Sequence, residues 1–220
     1  NTFTFYHFGN MQAEPARKGL ANDQIIKLNE YVGRCNTVLK QGKRVSNIAL
    51  LYPTESLWVR STPDSFLARA PAAKQVVDAW RQAGNALFAA NHDFTYVDSL
   101  ALTASHVSGH TLAYGTHHDL HCRVVILPHT DTLPRKTWEK LLEFWKKGGT
   151  IIALGALPAN DEELSPSPQV AAIARQIFGI NPQGFSVHTN AAGGTGIFLP
   201  SDAVARLPVA INTLLEQEVT

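Results

Sequence analysis

Cysteine is nearly absent from this 220-residue chain, and so is any excess of charge. Two cysteines, Cys35 in a helical pattern and Cys122 at the start of a strand pattern, cannot make the disulfide framework of a small secreted scaffold, and they leave the redox compartment open. Nineteen basic and eighteen acidic side chains give a net charge of +1, which supplies no electrostatic case for nucleic acid or an anionic membrane as a partner. No apolar run approaches the roughly 18 residues that a membrane-spanning helix needs. Internal repeats, low-complexity tracts and a secretory leader are missing too. The first residue is Asn1 rather than Met, so either a processed protein or, at least as readily, an excised piece of a longer one is expected.

What is present is an ordinary globular composition, 45% hydrophobic and 17% charged, with one organising stretch from 122 to 155. Val124, Val125, Ile126 and Leu127 form a continuous β-rich apolar run stopped by Pro128, as in a strand buried on both faces. Thr132 is an expected N-cap and Pro134 suits a first helical turn, where the amide it lacks would be unpaired anyway. Trp138, Leu141, Leu142 and Trp145 then recur at i, i+3, i+4 and i+7, one apolar stripe opposite Lys136, Glu139, Lys140, Glu143 and Lys147. Lys146 and Lys147 suit the helix C-terminus, Gly148 or Gly149 the left-handed cap, and 150–154 (TIIAL) a second buried strand. Strand, crossover helix and strand make a βαβ unit with parallel strands.

The remainder repeats this alternation. An aromatic leader over 1–21, with Phe3, Phe5, Tyr6 and Phe8, precedes a long amphipathic helix starting at Asn22 and stopped by Gly42, with Ile25, Leu28, Val32, Cys35 and Leu39 on one face. A buried strand over 46–52 leads into a long polar loop, 54–65, then a helix over about 71–91, a short strand over 94–97, one or two helical turns over 99–105 and a minor strand over 111–114. Beyond the βαβ unit come a loop at 159–168, a helix ended by Gly179, strand candidates at 185–188 and 197–199, and a terminal helix entered through Pro208. The pattern predicts an α/β fold of the doubly wound, flavodoxin-like type, a mostly parallel sheet with helices on both faces, over one domain from 22 to 220.

Four places carry residue types that could do chemistry. The loop after the first strand holds Glu55, Trp58, Arg60 and Asp64, an aromatic face with charged groups for hydroxyls, at the strand ends where open α/β sheets bind ligands. With His129 after the 124–128 strand, Trp58 and Arg60 are the ligand-binding candidates, carbohydrate being the expected class; a packed interface is an equal reading of the same residues. His117, His118, Asp119, His121 and Cys122 are metal-like in type but lack a second pair of ligands elsewhere, so a polar turn is the better reading and no metal is expected. Gly193, Gly194 and Gly196 neither follow a strand into a helix nor precede a lysine, as a phosphate fingerprint requires, so no cofactor is expected and a tight turn is. A nucleophile elbow would fall at Gly155-Ala156-Leu157-Pro158, where Ala156 and Leu157 can attack nothing. A hydrolase built on His129 and Asp131 would need a nucleophile within hydrogen-bond reach of the imidazole.

Three runs taken together, LNEYVGRCNTVLKQGKRVSNIALLYPTESLW (28–58), YGTHHDLHCRVVILPHTDTL (114–133) and LLEFWKKGGTIIALGALP (141–158), resemble a domain inside large bacterial glycoside hydrolases of the α-L-rhamnosidase-like kind. They are similar to the β-galactosidase trimerisation domain, which has the class I glutamine amidotransferase-like fold. In amidotransferases that fold carries a cysteine at the elbow; Ala156 or Leu157 holds the place here, so the resemblance implies a vestigial elbow. The hydrolases keep their acid and base carboxylates on a separate barrel. The resemblance therefore implies a non-catalytic accessory domain of an exported enzyme, with other domains of the parent chain, and a second copy of itself, as partners.

Overall fold

The computed structural model describes residues 22–40, 46–62, 70–115, 117–179 and 184–215. The aromatic leader, the Gly42 stop and Asp64 lie outside them. The chain divides into two compact units, Asn1–Arg44 and Val45–Thr220, so the domain expected from 22 onward spans both. In the first unit, α1 (Asn22–Leu39) is a single long helix. Along it, Ile25, Val32 and Cys35 are half-buried, as the predicted stripe requires, though Asn36 is too and Leu28 is exposed.

The second unit is α/β. Its main sheet contains β1 (Ile48–Leu51), β2 (Thr95–Val97), β6 (Val124–Pro128), β7 (Thr150–Leu154), β8 (Ser186–Thr189) and β9 (Thr195–Leu199), in the order β2-β1-β6-β7-β9-β8. Every neighbouring pair is parallel except β8 with β9. The strands that read as continuous apolar runs, β1, β6 and β7, are buried at every position, which is what a sheet covered on both faces demands. One face, with Leu51, Val125, Leu127, Ile151 and Ala153, clusters with the apolar sides of α5 (Arg135–Lys146) and α6 (Pro168–Phe178). The other, with Leu50, Ile126, Ile152 and Leu154, clusters with α3 (Pro71–Ala89) and α7 (Leu207–Leu214).

Helix α5 follows its predicted pattern with one change. Trp138, Leu141 and Trp145 are buried, but Phe144 joins them and Leu142 is only half-buried, because the buried stripe is centred one position further round. Gly148 has φ +102, the left-handed cap expected there. Thr132 is not the N-cap. Pro134 occupies that position, the Arg135 amide donates to Glu162 instead, and Thr132 serves a different network described below.

Other expectations are corrected. The polar loop expected at 54–65 begins as a short helix, α2 (Thr54–Trp58), because Leu57 gains burial against Ala73 and Val76 once the chain turns. The minor strand β4 (Thr111–Tyr114) lies between β3 (His106–Ser108) and β5 (Leu120–Cys122) in a separate antiparallel sheet. Cys122 closes β5 rather than opening β6. The predicted helical turns at 99–105 are α4 (Ser99–Thr103), capped by the Asp98 side chain accepting from the Ala101 amide.

Candidate functional site

The carboxyl ends of the parallel strands bring together the loops singled out in the sequence, and two different arrangements result. The first is a lock. Arg60, just after α2, donates from both terminal nitrogens to Asp131 in the loop after β6, Nη1 to Oδ1 at 3.0 Å and Nη2 to Oδ2 at 2.5 Å. Arg60 Nη1 also reaches the Ser56 carbonyl at 2.9 Å. The Ser56 hydroxyl accepts from the Thr132 amide and lies within reach of the Thr132 carbonyl, both at 3.1 Å. Thr132 Oγ1 donates to Asp131 and accepts from Asn160, whose own carbonyl takes the Trp138 indole N–H. Burial alone would raise the Asp131 carboxyl, but the Arg60 hydrogen bonds and charge, helped by Thr132 and Ser56, hold it below the usual carboxylate range.

This lock redefines the predicted loop site. Arg60 is committed to Asp131, so its planar donor fork is not presented to a sugar. Glu55 accepts a hydrogen bond from the Ser99 hydroxyl and its other carboxylate oxygen is buried. Trp58 is 68% exposed and does not line the cleft described below. The expected trio of Trp58, Arg60 and His129 is thus not assembled around one space.

The second arrangement is a cleft of about 270 Å³ between α3 and the 3-10 helix Ser201–Arg206 that follows β9. His129, Gly155 and Ser201 line it from the strand ends, and Gln75, Asp78 and Gln82 from α3. His129 has φ +44, unusual for a residue with a side chain, and its amide is held by the Leu154 carbonyl at 2.7 Å. Burial lowers the affinity of its imidazole for a proton, the Arg60 charge lowers it further, and the Asp131 carboxylate only partly opposes them. These effects favour the neutral ring. Nothing in the residue types of 201–206 flagged Ser201; its place after a buried strand was the one available signal.

An Asp131-His129-serine relay is not formed. Asp131 spends its oxygens on Arg60, Thr132 and Ser56, so the imidazole has no carboxylate orienting it, as a relay requires. At the elbow position, Ala156 and Leu157 follow β7 as irregular chain, with Leu157 packed on the core, and the next helix begins only at Pro168. Cys122 is fully buried in an apolar cluster and its thiol is pushed up, so it is not a nucleophile in the folded chain.

In the metal-like segment, His121 and Cys122 alternate along β5, the first exposed and the second buried, so they face opposite sides. Among the described residues no three histidine, cysteine or acidic side chains cluster as metal ligands do. Gly194 and Gly196 lie at the β8-β9 hairpin, where a Cβ would sit 1.8 Å from the Trp145 carbonyl oxygen and 1.9 Å from that of Ile177. These glycines permit close backbone packing, and Asn190 fastens the turn by accepting from the Ala192 and Gly194 amides. Among the described residues no helix is long and apolar enough to cross a membrane.

Solved structures share this fold. A GH42 β-galactosidase from G. stearothermophilus superposes on 88% of the chain with a TM-score of 0.58 at 11% identity. A β-galactosidase from Rahnella sp. R3 does so on 91% with a TM-score of 0.56 at 13% identity. The chain shares its fold with part of a β-galactosidase. It spans about a third of each of those longer chains, 34% and 36%. A rhamnosidase from Novosphingobium sp. PP1Y is also similar over 84% of this chain and 15% of its own, but at a TM-score of 0.49 and 13% identity it carries no weight. No protein-family model matches the chain, and no curated protein does.

Proposed function

We propose that this chain is a non-catalytic domain of a multidomain glycoside hydrolase, supporting or oligomerising a separate catalytic barrel. The observation that carries the reading is coverage: the chain matches β-galactosidases along most of its own length but only a third of theirs. Three features support it. The elbow offers Ala156 and Leu157 in place of a nucleophile, and His129 has no carboxylate to orient it. The parallel strands run β2-β1-β6-β7-β9, the order of flavodoxin-like doubly wound sheets, in which a ligand crevice opens beside β1 and β6. Here the Arg60-Asp131 pair bridges the loops after those two strands, a use of the crevice that favours rigidity over binding.

The third feature is aromatic surface. Tyr52, Trp80, Tyr96 and Phe94 form a continuous ring ladder beside the edge strand β2, with successive centroids 5.2, 5.3 and 5.3 Å apart. Tyr52 and Tyr96 are exposed, as are Trp58 and, at 81%, Phe88. Exposed aromatic groups of this kind suit a contact with another domain or a second copy of the chain. We assign Trp58 to such a contact rather than to a sugar subsite. An α-L-rhamnosidase-like, exported parent is the finer form of the proposal and rests on the sequence resemblance.

The test is hydrolysis by the purified 220-residue chain. On p-nitrophenyl β-D-galactoside and p-nitrophenyl α-L-rhamnoside it should release nitrophenol no faster than buffer. Turnover that survives further purification would overturn the non-catalytic reading.

A further inference from the structure

The cleft between α3 and the 3-10 helix is not explained by a supporting role, and its lining is more polar than packing requires. We infer that it is a binding site for an uncharged polyhydroxylated molecule of about monosaccharide size, held by His129 and Ser201 from the strand ends and by Gln75, Asp78 and Gln82 from α3. This does not depend on the accessory-domain reading, because every residue involved belongs to this chain's second unit.

The geometry centres on Gly155. Its φ is +73, and a Cβ placed on it would come within 2.7 Å of Ser201 Oγ and 2.9 Å of His129 Nδ1. The two polar atoms therefore converge over one point of backbone, and a side chain at 155 would fill the floor of the cleft. The neighbouring His129 also carries a left-handed backbone, φ +44, which turns the chain immediately after β6. Unusual backbone of this sort gathers at ligand sites, where surrounding structure holds it in place. Among the described residues, the side chains of His129, Ser201, Gln75 and Gln82 have no hydrogen-bond partner within the protein. Those groups present both donors and acceptors to the cleft.

Charge and size select the ligand class. Among the described residues no lysine or arginine lines the cleft, and the nearby Lys74 and Arg60 are paired with Asp78 and Asp131, which leaves little free positive charge for a phosphate or carboxylate. Its one carboxylate, Asp78, is paired with Lys74 and would accept from hydroxyl groups. The volume of about 270 Å³ falls just under the 300–1,000 Å³ usual for larger ligands. Leu154, Ala79 and Val204 supply the apolar part of the wall for the carbon skeleton.

The experiment is a titration of the isotope-labelled 220-residue chain, followed by amide NMR, with D-galactose, L-rhamnose, glycerol and inorganic phosphate taken separately into the millimolar range. Saturable shifts at His129, Gly155 and Ser201 with either sugar support the inference and identify a sugar as the source. Saturation by glycerol alone supports it with a non-sugar polyol as the source. The Gln75→Ala/Gln82→Ala variant changes only exposed positions of α3, so it keeps the fold, and it should weaken the effective ligand at least tenfold. Absence of saturation with all three polyols, saturation by phosphate instead, or an affinity unchanged in that variant would each overturn the inference.

Discussion

Arg60 grips Asp131 through both ends of its guanidinium, joining the loop after β1 to the loop after β6 across 71 residues of sequence. Both side chains are about four-fifths buried, so removing one partner leaves a poorly solvated charge behind. Arg60→Ala should cost about 1–3 kcal/mol in urea unfolding, less than the 3–5 kcal/mol typical of a fully buried pair. Arg60→Met combined with Asp131→Leu should recover part of that loss, because neither charge is then stranded. A single variant as stable as the parent chain would show that the pair locks nothing.

Acid should release two anchors of the same edge. The Asp131 carboxyl lies below its ordinary value when folded, so its stabilisation is complete above about pH 3.9 and is lost as pH falls through the lower folded value. Asp161 behaves alike and further: the Ser167 hydroxyl, the Glu163 and Leu164 amides and the Arg135 charge outweigh burial and bring it down to about 2. Ser167→Ala removes the largest of these contributions. In urea unfolding at pH 7 that variant should be less stable than the parent chain, because this contribution and the α6 N-cap, about 1 kcal/mol, are both lost, and the difference should narrow as pH falls toward the folded value of Asp161.

The hairpin glycines separate close approach from backbone conformation. Gly194→Ala or Gly196→Ala places a methyl group against a carbonyl oxygen that cannot move without displacing α5 or α6, and either should cost more than about 3 kcal/mol or prevent folding. Gly193→Ala meets open space and incurs only the cost of a left-handed residue, about 1–2 kcal/mol. Thermal unfolding of the three variants reads the contrast directly.

The cysteines should differ in reactivity. Cys122 is sealed in the core and its thiol is held protonated, whereas Cys35 on α1 is only partly covered. Ellman's reagent should therefore label one thiol per chain promptly under native conditions and the second only on unfolding. Two equally fast thiols would contradict the placement of β5.

The parts of this structure that were legible in the sequence are those whose burial is uniform. Val124 to Leu127 and Thr150 to Leu154 carry apolar side chains to both faces, and only a covered strand tolerates that, so β6, β7 and the crossover α5 stood out. Strands β3 and β5 are three residues each and alternate in exposure, too short for a period to emerge. Helix α2 was hidden because in its sequence, TESLW, the two apolar residues are adjacent, Leu57 meeting α3 and Trp58 exposed, so no helical stripe emerges. At the site, residue types singled out Arg60, Asp131 and His129. What they could not reveal was the pairing, since Arg60 beside Trp58 suggests a sugar grip until Asp131 is seen to occupy it. Ser201 is ordinary in sequence and significant only because β9 ends over Gly155.

The central claim, that this chain is one domain of a larger hydrolase, is tested most directly by the mass of the native polypeptide that carries it. An antiserum raised against the 24.0 kDa chain should detect, in extracts of the source cells and their medium, a polypeptide about three times that mass, since the chain spans about a third of the β-galactosidases it resembles. A polypeptide of 24 kDa as the sole species detected would contradict the account.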